Sequence, residues 1–327
     1  MRPLLAALAL LATPLHAGVP EAIKGHILPR HAIFAEAAAA LDTAAQADCT
    51  AEALKPTYNA AFDAWIGVQH LALGPLHEIG GPIALQFWPD TKGFTARQLG
   101  MLLKAEAPEA VTPEGFAQQS VAVQGFMALE RMLYDETFSG YAADSYACAL
   151  TRAIANDIAT KAATLSADWP GTAQSLRTAG EPGNATYLAP AEATQALFTA
   201  LITGIEYNDD ARLARPLGSF ERPRPTLAEA WRSGRSQRNL ALSLAALEEF
   251  AALLADGEAS ETQKLFKDTE AWLAGLDEPA FAGVAEPTTR MGIESLTSYL
   301  DLLKETAAAE IGAHLNVGQG FNALDGD

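Results

Sequence analysis

The sequence predicts an all-α protein of two packed helical bundles with long irregular loops. Three observations carry this. Apolar residues recur at three- and four-residue spacing through Ala-, Leu- and Glu-rich segments, and the apolar/polar alternation of strands is rare. Gly- and Pro-rich passages separate those segments. At 327 residues and 49% hydrophobic composition the chain can bury a sizeable core, in one large or two ordinary domains. Gly171, Gly180, Pro182, Gly183 and Asn184 mark a division into an N-terminal bundle, 18–180, and a C-terminal bundle, 185–327.

The first 17 residues stand apart. Arg2, the apolar run Leu4–Leu11 and the ending Leu15-His16-Ala17 have the pattern of a secretory signal peptide cut after Ala17, which places the mature protein in the periplasm. The run is too short to span a membrane, and no later stretch is long and apolar enough. The mature chain has 21 basic and 40 acidic residues, net −19. Such acidity excludes nucleic acid as a partner. In an oxidising compartment Cys49 and Cys148 are expected to pair, the alternative being two buried thiols.

The first helix is expected over Ala22–Gln46, with Pro29 bending it or ending its first piece. The second covers about Ala51–Leu73, with Tyr58, Phe62, Trp65 and Ile66 on one face and Gln69 and His70 entering that face. Those polar groups either join helices or point into a cavity. The Gly/Pro-rich passage from Gly74 to Asp90 reads as an irregular loop folded over a site. Thr95 is the expected cap of a short helix ending at Lys104. Thr112-Pro113 suits the start of a central helix. Further helices are expected at Asp144–Ser166, Glu192–Tyr207, Leu227–Asp256 after the capping box Thr226-Leu227-Ala228-Glu229, Glu261–Leu276 and Pro287–Leu315. A basic loop, Arg212–Pro225, lies between the second and third of these.

The central stretch Val121–Glu136 carries the chemistry. Its Glu130 has Phe126, Met127, Leu133 and Tyr134 as its helical neighbours, so a carboxylate sits in an apolar stripe. A buried carboxylate needs a cation, a donor or a proton. It is either a structural salt bridge or a ligand site. Gly125 inside a helix implies that something approaches the backbone closely there. Arg232, Arg235, Ser236, Asn239 and Ser243 form a polar stripe, either a solvated face or part of the same site. Arg232 and Arg235, then His70, are the expected partners of Glu130.

Gly125-Phe126-Met127-Ala128-Leu129-Glu130 resembles the Gly-x-His-x-x-Glu signature of the imelysin-like proteins (peptidase M75-like), with Met127 at the histidine position. Three other stretches resemble that family: W-I-G-V-Q-H-L-A-L-G-P from Trp65 with F-W-P-D from Phe87, A-W-R-S-G-R-S from Ala230, and the ending G-F-N-A-L-D-G-D. The resemblance implies a secreted all-helical protein linked to iron uptake, with a site near Glu130 between the bundles and Trp65, Asn322 and Asp325 among its candidate residues. Iron or another divalent metal is the implied ligand, with Glu130 and His70 as candidate metal ligands, and components of an uptake system the implied partners. The sequence holds no His-Glu-x-x-His, Gly-x-Ser-x-Gly or P-loop motif, and so no complete catalytic set. A binding role is therefore expected ahead of a peptidase or a helical scaffold.

Overall fold

The computed structural model describes residues 18–318, and among them only helices, turns and two isolated β-bridges occur. The long helices are α1 (Leu28–Ala47), α2 (Ala51–Ile66), α3 (Phe94–Ala105), α4 (Gly125–Tyr134), α5 (Tyr146–Arg177), α6 (Pro190–Tyr207), α7 (Ser236–Leu254), α8 (Ser260–Ala274) and α9 (Pro287–Leu315). The all-α expectation holds. None of the described helices is long and apolar enough to cross a membrane. The signal-peptide expectation falls on residues outside the described range.

Two hydrophobic cores organise the molecule. The first lies between α1, α2, α4 and α5, where Phe62 stacks on Phe126 at 4.7 Å between ring centroids. The second joins α6, α7, α8 and α9 around Phe198, Phe250 and Phe266. It also takes in residues from far upstream: Val19, Ile23, Ile27 and, from the end of α5, Trp169 and Leu176. Cys49 and Cys148 form a disulfide with Cα atoms 5.4 Å apart, tying the α1–α2 turn to the start of α5. Closing a segment of 99 residues stabilises the fold by about 4–5 kcal/mol in the chain-entropy account.

Several boundaries differ from expectation, each for a physical reason. Thr112-Pro113 starts only one turn, Pro113–Phe116. The central helix begins at Gly125, whose φ is +70°. There the Phe126 N–H donates to the Leu85 carbonyl at 2.7 Å, and a Cβ at Gly125 would lie 2.0 Å from that oxygen. The expected close approach at Gly125 is thus present, at the helix start rather than inside it. Helix α5 runs through Pro170 to Arg177, because Trp169, Ala173 and Leu176 keep the helical spacing and are buried. Thr95 is not the cap of α3. The Asp90 carboxylate accepts from the backbone N–H groups of Phe94 and Thr95, each at 2.8 Å.

The largest departure follows α6. The chain continues as a π-turn, Asn208–Leu213, and a short helix, Ala214–Leu217, where a loop was expected. Helix α7 starts at Ser236, not Leu227. Residues 225–235 instead form an irregular strap, with positive φ at Ala230 and Gly234. Glu229 does not close a capping box, because its carboxylate is drawn into the interior.

Candidate functional site

Glu130 has no exposed surface. Its partner is neither arginine nor histidine, contrary to expectation. Oε1 accepts from the backbone N–H of Ser233 at 3.0 Å and from the Ser233 hydroxyl at 2.8 Å. Oε2 is buried without a partner. The strap conformation makes this contact possible, since Ser233 lies between the two positive-φ residues. Burial raises the Glu130 pKa above the carboxylate range, against the Ser233 hydrogen bonds and the charges of Arg232 and Arg131.

Glu130 borders a cleft of about 170 Å³. One wall comes from the loop before α3, with Phe87 and Trp88, and the opposite wall from the strap, with Trp231 and Arg232. Met127, Arg131, Thr95 and the acidic Asp90 also line it. Of the Gly74–Asp90 passage, its last four residues, Phe87–Asp90, line the cleft beside Glu130. Lys161 anchors that loop by donating to the Ala84 carbonyl at 2.9 Å and to Gln124 Oε1 at 2.7 Å. Arg131 and Arg232 both pair with Asp135, at 2.6 and 3.2 Å, and Arg232 lies over the Trp231 ring. The Thr95 hydroxyl is a second buried oxygen without a partner on this cleft.

The other expected residues go elsewhere. Arg235 reaches away from Glu130, hydrogen-bonding Asn59 Oδ1 at 2.6 Å and pairing with Asp63. Ser236 donates to the Glu229 carbonyl at 2.6 Å. Trp65 and Gln69 join a buried ring of side chains behind the cleft. Gln86 Oε1 accepts from Trp65 Nε1 at 2.6 Å and from Gln69 Nε2 at 3.0 Å. Gln86 Nε2 donates to Glu229 Oε1 at 2.6 Å. Glu229 Oε2 accepts from Arg212 Nε and Asn239 Nδ2, each at 2.8 Å. Arg212 closes the ring by donating to Gln69 Oε1 at 2.6 Å. Arg212 and Glu229 are only 2% and 1% exposed, so this is a fully desolvated ion pair with its remaining valences satisfied.

His70 does not share the Glu130 cleft. It borders a second cavity of about 110 Å³, with Gln69, Tyr207 and Arg212. Its Nε2 lies 3.1 Å from His26 Nε2, and His26 Nδ1 lies 3.0 Å from Glu249. Burial holds both imidazole pKa values below the usual histidine range. Asn322 and Asp325 lie outside the described residues.

Sequence reasoning missed Ser233, Thr95 as a cleft residue, Arg131 and Glu229. Gly234, inside the expected helix, was the readable sign that the strap is not helical.

A bare metal ion does not fit the Glu130 site. Met127 supplies a thioether where an imidazole would serve Fe or Zn. Glu130 Oε1 is already engaged, and two guanidiniums border the same space. Among the described residues no three His, Cys, Asp or Glu side chains cluster to hold a metal.

A family model described as Imelysin (Peptidase_M75) matches residues 27–308. Among solved structures, an imelysin-like protein from Psychrobacter arcticum 273-4 superposes with a TM-score of 0.79 at 19% identity, covering 96% of this chain and 100% of that one. A putative iron-regulated protein A precursor from Parabacteroides distasonis ATCC 8503 gives 0.71 at 13% identity, covering 94% and 97%. At these identities the likeness concerns the fold. The comparison with curated proteins found no match. With a family model spanning most of its length, the chain belongs to the imelysin family.

Proposed function

We propose that this protein is a non-catalytic binding component, exported to the periplasm, that serves acquisition of iron or another metal by holding a small ligand in the Glu130 cleft. The observation that carries the reading is the unpartnered Glu130 Oε2, buried at the edge of a cleft walled by two tryptophans and two arginines. Bundle 18–180 supplies Glu130 and bundle 185–327 supplies the strap, so the ligand sits where the halves meet. The iron-regulated neighbour supports the link to metal. Since the cleft does not suit a bare ion, the metal arrives as a chelate, handed on to other periplasmic or membrane components of an uptake system. Peptidase chemistry has less support: the Ser233 hydroxyl bonds Glu130, but Ser233 does not border the cleft, and Met127 provides no base.

Titration of the purified mature chain tests this, by calorimetry and tryptophan fluorescence, with Fe(II), Fe(III), Cu(II) and Zn(II) salts and with their citrate complexes. Saturable binding that Glu130→Ala removes supports the reading. Binding that survives loss of Glu130 places the site elsewhere. No binding by any probe favours a helical scaffold.

A further inference from the structure

We infer that the Glu130 cleft recognises a carboxylate group, with Glu130 and Thr95 as neutral hydrogen-bond donors and Arg131 and Arg232 as the counter-charge. The inference rests on the reading of this cleft as the ligand site and names the chemistry of what enters it.

The hydrogen bonds of Glu130 fix where its proton can sit. Oε1 receives two donors from Ser233, so it takes the carbonyl role. A proton on this carboxyl then sits on Oε2, the oxygen that has no partner in the protein. Full burial, with no cation in direct contact, favours that neutral form. The Thr95 hydroxyl is the second orphan. Its backbone N–H is used by Asp90, but Oγ1 has no partner. Two buried polar atoms without partners on one cleft call for an external acceptor, since unpaired buried polar groups are rare and costly.

Charge then selects the acceptor. Arg131 and Arg232 share one internal carboxylate, Asp135, and so leave one positive charge beside the cleft. Asp90 also borders it, but its carboxylate caps α3. A single carboxylate matches that surplus. A doubly charged phosphate exceeds it; either anion also meets Asp90, whose charge the N–H groups at the start of α3 offset in part. The planar two-oxygen group can also accept from two donors at once. The carboxylate can belong to a free acid or to a chelating acid that carries metal, and the test separates the two.

The experiment measures affinities of the full mature chain for acetate, citrate, ferric citrate, inorganic phosphate and bare Fe(III) and Zn(II) salts by calorimetry. Acetate is expected to bind at least tenfold more tightly than phosphate, and a preference between acetate and ferric citrate identifies the source. Glu130→Gln keeps a neutral donor and lowers affinity less than tenfold, whereas Glu130→Ala lowers it by at least a further tenfold. Thr95→Val, which removes one hydrogen bond to a charged acceptor, costs about tenfold or more. Arg232→Gln, at the partly exposed rim, carries the test should a buried substitution unfold the protein, and it too is expected to cost at least tenfold. Phosphate binding equal to acetate overturns the inference. Tight bare-metal binding that Glu130→Gln abolishes overturns it while the proposed function stands. Citrate binding unchanged by all four substitutions removes both.

Discussion

The buried ring around Glu229 gives the sharpest test of how the strap is held. Glu229→Gln preserves shape and removes one charge, leaving the Arg212 guanidinium, 2% exposed, without a counter-ion. The new amide also turns an N–H toward a donor, because Gln86, Arg212 and Asn239 all donate to this carboxylate. Removing one partner of a buried pair costs about 3–5 kcal/mol. For roughly 300 ordered residues the unfolding entropy is about 0.6 kcal/mol per kelvin, so the melting temperature should fall by about 5–8 °C. Denaturant unfolding followed by circular dichroism supplies the free energy. The informative comparison is a double-mutant cycle with Arg212→Met. Once the stranded charge is gone, the pair should be less destabilised than the sum of the single variants by about 2 kcal/mol or more. A single-variant cost below about 1 kcal/mol, or strict additivity, would refute the view that a desolvated ion pair holds the strap.

Three further outcomes are expected. Gly125→Ala should cost about 2–5 kcal/mol, from the left-handed φ and a methyl group 2.0 Å from the Leu85 carbonyl oxygen; Gly140→Ala, with open space around it, is the control, and equal costs would sink the argument. His31 is held down to about 4 by burial, so its neutral form is the folded one. The unfolded chain takes up the proton first, so stability is full above about 6.5, falls by roughly 3 kcal/mol toward pH 4 and levels off below. Unfolding curves at pH 7.5 and 5 should therefore differ less for His31→Phe, and an unchanged difference rejects the assignment. Met127→His places an imidazole one turn from Glu130 and should raise Zn(II) affinity at least tenfold by calorimetry; no change would show that the neighbouring arginines dominate.

The helices were legible because burial of one face imposes a period that survives in sequence. Pro170 did not end α5 since Trp169, Ala173 and Leu176 outweigh it, a tertiary effect invisible to local reading. The central carboxylate was legible from its apolar neighbours, and it is indeed buried. Its partner was not. Nothing local marks Ala230 for a positive φ, and that turn, with Gly234, decides that Ser233 faces Glu130. Gln69 and His70 are neighbours in sequence and both border the second cavity, but their partners differ: Gln69 enters the ring while His70 turns to His26.

The segment Val19–Ile27 has a consequence for how the protein comes into being. It is made early and is largely apolar on its inner face, yet most of what buries it, on α6 and above all α7, is made far later. Until they arrive, that face can close only against the end of α5, and the second core cannot assemble in step with synthesis. Long sequence separation of this kind slows folding and prolongs exposure of sticky surface. The late helices thus act as a completion check: a chain interrupted before α7 would retain an unpaired apolar N-terminus, a handle by which chaperones and proteases tell an unfinished molecule from a finished one.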